Sequence, residues 1–106
     1  MSVPSVSLFG NPTRLASAAA VKGSPGRLWA VLLEGGTAAS SIDFHNHASS
    51  ASGDPIVGVT APFTDTDASA ASTVFISFVD VGGIEFGTGI YGNLAGTGAV
   101  AYVWYT

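Results

Sequence analysis

The chain has 106 residues, which suits one domain and leaves no room for a second. Only 9% of its residues are charged, against about 25% in ordinary soluble domains, and three cations with a net charge of -4 are too few to neutralise the phosphates of DNA or RNA. Cysteine is absent, which excludes disulfides and thiolate zinc sites, and the longest run of strong hydrophobes, Leu28 to Leu33, is far short of the roughly 20 residues of a membrane-spanning helix.

Residues 1–13 (MSVPSVSLFGNPT) contain two prolines and a glycine, so they read as an extended arm. The arm is uncharged, and its apolar residues Val3, Val6, Leu8 and Phe9 are expected either to fold back on their own sheet or to lie on a neighbour. No basic stretch followed by a long apolar run opens the chain, so no secretory signal is expected.

From Arg14 to the last residue, 106, short β-forming runs alternate with Gly, Pro, Ser and Asp at intervals near ten residues, the pattern of a sandwich or barrel. Leu15–Val21 is the first predicted strand, ended by the turn residues Lys22–Gly26. Its alanines also suit a helix, but it lacks i, i+4 charge pairs and precedes a dense series of strands. Arg27–Glu34 puts Leu28, Ala30 and Leu32 on one face and Trp29, Val31 and Leu33 on the other. With both faces apolar, it is expected to be central and covered on both sides. Ser40–His47 alternates Ile42 and Phe44 inward with Ser41, Asp43, His45 and His47 outward.

A polar loop, Ala48–Asp54, leads to a fourth strand from Pro55 to Thr60, at an edge because proline cannot donate a ladder hydrogen bond. A second loop covers Thr64–Ser72. Four more strands follow: Thr73–Val79, then Ile84–Phe86 after the Gly82-Gly83 turn, then Gly89–Leu94, and Val100–Tyr105 after Gly96 to Gly98. Eight short strands in a single antiparallel, all-β sandwich domain match the size of a jelly roll.

Little in this chain carries catalytic chemistry, and no enzyme activity or cofactor is expected. Gly87–Gly92 matches the GxGxxG dinucleotide fingerprint, but Gly96 and Gly98 prevent the helix that motif needs and no acid follows. Asp43, His45 and His47 share one strand face at i, i+2, i+4 and are weak metal candidates. A solvated or intersubunit polar face explains them better, since nothing fixes a fourth ligand. Asp65 and Asp67 lie in a polar loop with no apolar pocket to set apart an acid and a base, though Asp-Thr-Asp could offer oxygens to calcium. No GxSxG elbow presents a serine.

The aromatics Phe44, Phe63, Phe75, Phe78, Phe86, Tyr91, Tyr102, Trp104 and Tyr105 fall where the interior is expected. The last strand carries large residues on both faces, so one of its sets, with Trp104 or Tyr105, is available for a subunit contact.

The C-terminal stretch GIEFGTGIYGNLAGTGAVAYVWY, residues 83–105, resembles the close of small virion structural proteins of tailed phages, particularly those infecting marine cyanobacteria. The strand Arg27–Leu33 and the segment Ile42 to Phe44 are similar in placement, so the likeness spans roughly residues 14–105. It implies a β-sandwich that decorates or cements a head, or joins the portal and tail. Its partners would be the major capsid protein or other virion proteins, with a homo-oligomer expected and neither nucleic acid nor membrane bound. The motifs are strand and turn patterns, so no functional residue is carried over. A carbohydrate- or receptor-binding jelly-roll module of a phage fibre or spike is the alternative.

Overall fold

The computed structural model describes residues 12–61 and 73–106. Nine strands follow in chain order: β1 (Thr13–Leu15), β2 (Ala19–Lys22), β3 (Gly26–Glu34), β4 (Ser40–Asn46), β5 (Val57–Ala61), β6 (Thr73–Ser77), β7 (Ile84–Phe86), β8 (Ile90–Ala95) and β9 (Val100–Tyr105). The turn Val79–Val81, a single turn of 3-10 helix, separates β6 from β7.

The strands form two antiparallel sheets, one ordered β1-β9-β3-β6 with β7 also on β3, the other β2-β8-β4-β5. On β3, β6 pairs with Ala30 to Glu34 and β7 with Gly26 to Leu28, so β6 and β7 are two halves of one strand position. Nine strands thus fill eight positions. Apart from the split position, the chain changes sheet at every connection except β4 to β5, the wrapping of a jelly roll.

The core lies between the sheets. Leu28, Val31 and Leu33 of β3 and Ala101 and Val103 of β9 face Ile42 and Phe44 of β4, Val59 and Ala61 of β5, and Ile90 of β8. Phe86, Leu15 and Val21 close the cluster. Most of these side chains are fully excluded from water, and each such burial is worth about 1.5–3 kcal/mol relative to exposure.

Two local features depart from the pattern in the sequence. The expected strand Leu15–Val21 is two strands in different sheets: small residues Ala16, Ser17 and Ala18 make the crossing, and Leu15 and Val21 enter the core from opposite sides. In β3 a bulge between Leu28 and Ala30 shifts the register against β9. One extra residue reverses the side-chain alternation, so Leu28 joins Val31 and Leu33 inside while Ala30 and Leu32 turn outward. The strand is central, as expected, but its outer face has no layer over it among the described residues. Thr13, the last residue of the expected arm, is the first residue of β1; residues 1–11, with Val3, Val6, Leu8 and Phe9, lie outside the described residues, as do Phe63, Asp65 and Asp67.

Candidate functional site

Strand alternation decides which side chains leave the β1-β9-β3-β6 sheet on its outer side. Leu15, Val103, Ala101, Val31 and Leu33 point into the core. Their neighbours Arg14, Val100, Tyr102, Trp104, Ala30, Leu32 and Glu34 therefore point away, with Thr73, Phe75 and Ser77 beside them on β6. Register sets these residues in rows: Arg14, Tyr102, Leu32 and Phe75 stand side by side across four strands. Trp104, Ala30 and Ser77 form the next row, and Val100, Glu34 and Thr73 the row on the other side.

The centre of this face is aromatic. Phe75 is 58% exposed, and its ring meets Trp104 edge-on, with centroids 6.0 Å apart at 83°. Such pairs contribute about 0.5–1.5 kcal/mol beyond their buried area. Trp104 Nε1 is buried with no acceptor among the described residues. Beyond the bulge Trp29 Nε1 donates to Thr106 Oγ1 at 2.9 Å, and along the same edge Val79 and Val81 are exposed. Gly83 makes room here, since a Cβ on it would lie 2.6 Å from Arg27 Cγ and 3.1 Å from Trp29 Cε3.

Trp104 was expected as a contact residue, and it lies on this face. Tyr105 lies on the opposite side of β9, packed against the core, with Thr13 Oγ1 3.4 Å from its hydroxyl. Phe75, placed in the interior by composition alone, is the most exposed aromatic of the face. Its only sequence signal is the alternation Thr73, Phe75, Ser77, which puts it among polar residues.

The other sheet has a polar outer face built around a loop. Asp43 and His45 of β4 point outward beside Asn93 and Tyr91 of β8. His45 is nonetheless only 5% exposed, because the Ala48–Asp54 loop folds back over it. Its Nδ1 lies 3.3 Å from Ser52 O and 3.1 Å from Gly53 O; both partners are acceptors, so this nitrogen carries the proton. His47 holds the other end with the opposite tautomer: its Nδ1 accepts from the amides of Ser49 and Ser50, each at 3.1 Å. The two imidazoles latch both ends of one loop. Among the described residues no three His, Asp or Glu side chains converge on a metal position.

Replacing His47 with alanine removes an acceptor from two amides and is expected to cost about 1–2 kcal/mol. Hydrogen exchange read residue by residue should quicken at Ser49 and Ser50 and stay unchanged in β4; unaltered exchange at those two amides would refute the latch.

An open cavity of about 330 Å³ at the sandwich edge is lined by Lys22, Arg27 and Glu85 among others. Arg27 and Glu85 are 4.0 Å apart and well exposed, a pair worth little. Gly87–Gly92 forms the turn from β7 and the start of β8, with no helix to complete a dinucleotide site. No family model, curated protein or solved structure matches the chain.

Proposed function

We propose that the chain is a non-enzymatic structural protein of a phage virion, a capsid decoration, cement or head-tail accessory protein that packs on other proteins through the outer face of the β1-β9-β3-β6 sheet. One observation carries this reading: a contiguous surface of Tyr102, Leu32, Phe75 and Trp104 on a chain that is 9% charged. A lone exposed hydrophobe is ordinary, whereas a patch centred on aromatics marks a contact surface. Tyr and Trp supply large contact area for few frozen torsions, and charge depletion is typical of interface centres. On a symmetric lattice, weak single contacts add into strong retention. The virion assignment draws on the likeness of residues 83–105 to phage structural proteins.

Tagged protein expressed during infection is expected in purified particles, and Phe75→Asp is expected to lower its incorporation by about tenfold or more, the equivalent of 1.4 kcal/mol or more. Incorporation equal to that of the unaltered protein would end this reading. Deleting residues 1–11 is expected to weaken incorporation as well, while the β-rich circular dichroism spectrum persists.

The same aromatic face, with Phe75 exposed, favours a second reading, a carbohydrate- or receptor-binding module, because jelly rolls serve lectins as well as capsids and aromatic faces stack on sugars. Glycan-array binding lost in Phe75→Ala would favour it; an array blank at high protein concentration would eliminate glycans.

A further inference from the structure

We propose that the partner seated on the aromatic face is a second copy of this chain, related by a two-fold axis lying in the interface. The proposal rests on the reading of this face as a protein-contact surface and names its occupant. Its basis is an offset that occurs twice. Arg14 on β1 and Glu34 on β3 are separated by two strand positions and one row, since Arg14 pairs with Tyr102, Tyr102 with Leu32, and Glu34 lies two residues beyond Leu32. Trp104 on β9 and Phe75 on β6 are separated by the same two strands and one row in the same direction, since Leu32 lies between Tyr102 and Phe75.

With strands about 4.8 Å apart and about 6.8 Å per two residues, each pair spans about 12 Å along parallel diagonals. An in-plane two-fold axis perpendicular to those diagonals passes through the midpoint of both pairs. That axis brings Arg14 of each copy over Glu34 of the other and Trp104 of each over Phe75 of the other. It also sets Tyr102 close to the partner copy's Leu32. Strands of the two copies then cross at about 70°, toward the orthogonal class of sheet packing.

Charge supports the same arrangement. In the part of the face spanned by β1, β9, β6 and residues 30–34 of β3, the charged residues are Arg14 and Glu34, one of each sign. Both are exposed, and neither has an ion-pair partner among the described residues. Arg27 and Glu85, farther along, already lie near each other. An isologous interface presents the same patch twice, so one cation and one anion at matching offsets make it self-complementary. Sheets stacked about 10 Å apart leave a gap that an arginine and a glutamate side chain together bridge.

Sedimentation equilibrium on the purified full chain tests this. The unaltered protein is expected at twice its 10.6 kDa mass. Arg14→Glu and Glu34→Arg alone should each weaken dimerisation by about tenfold. The double reversal, Arg14→Glu with Glu34→Arg, should restore it, an outcome that misfolding of either variant cannot produce. A protein monomeric up to about millimolar concentration, or a double variant no better than the single ones, overturns the proposal. If the protein is monomeric and Phe75→Asp still loses its place in particles, the second copy is wrong and the contact surface stands. If it dimerises and Phe75→Asp is incorporated normally, the dimer stands and the virion reading falls.

Discussion

Phe44→Ala is expected to destabilise the domain by about 3–5 kcal/mol, the range for a fully buried phenylalanine. The ring is fully excluded from water on β4, between β5 and β8. What lies beneath it decides the magnitude. A Cβ built on Gly92 of β8 would stand 3.6 Å from Phe44 Cε1, so the ring rests over a backbone position that has no side chain of its own to fill the space left behind. Two neighbouring strands also hold that backbone, because Gly92 faces Phe44 on one side and Ala19 on the other. The cavity would therefore persist rather than collapse, the circumstance in which truncation costs most.

For a domain of this size each kcal/mol moves the melting temperature by about 4–8 °C, so the midpoint should fall by at least about 12 °C. Phe75→Ala is the comparison. At 58% exposure Phe75 gives up little buried area, mainly its edge contact with Trp104, and should lose about 1 kcal/mol. Thermal melts of the two variants beside dimerisation measurements should separate the roles: Phe44 supports the fold, Phe75 the contact. Equal losses of stability would refute the assignment of Phe75 to the surface.

Much of the fold is legible in the sequence because turns are chemically marked. Ile84–Phe86 and Val100–Tyr105 begin and end where the punctuation implies, since Gly82, Gly83, Gly96 and Gly98 adopt positive φ. Proline before β5 correctly indicates an edge strand. Alternation fails where the chain adds a residue. The bulge at β3 has no sequence marker, yet it moves Leu28 across the sheet, so parity read from Arg27 onward groups Leu28 with Ala30 and Leu32 instead of with Val31 and Leu33. Composition also misleads at Phe75, because an aromatic strand neighbour is as compatible with a contact face as with a core.

The candidate surface was half visible for the same reason. Two faces of large residues on β9 signal a contact, but the row of Tyr102, Leu32 and Phe75 exists only once register aligns strands that are distant in sequence. His45 and His47 show the limit from the other side. Their spacing reads as a metal-capable face, whereas the loop after β4 turns back and takes one nitrogen of each ring for its own backbone. Nothing in a run of Ala, Ser and Gly announces that fold-back.

Gly36→Ala is expected to cost about 3 kcal/mol, the upper end for overpacking, although Gly36 has an ordinary backbone conformation. The obstacle is another backbone. A Cβ on Gly36 would fall 1.7 Å from Thr97 O and 2.7 Å from Gly98 C, so the loop joining β3 to β4 would have to part from the turn joining β8 to β9. Parting them breaks the bond from Thr37 N–H to Thr97 O, now 2.9 Å, and disturbs Gly36 N–H on Ser40 Oγ at 3.1 Å. Ser40 is buried and its hydroxyl donates to Ala38 O, so the disturbance spreads into a closed polar cluster. Both loops cross between the sheets, and they fix the end of the sandwich where Glu34 and Val100 pair. Gly87→Ala, where nothing lies within 4 Å, should be neutral within about 0.5 kcal/mol in the same urea titration. A Gly36→Ala variant as stable as Gly87→Ala would show that the two loops do not touch. A destabilised Gly36→Ala variant whose dimer is also weakened, while Gly87→Ala dimerises normally, would tie the loop junction to the placement of Glu34 on the contact face.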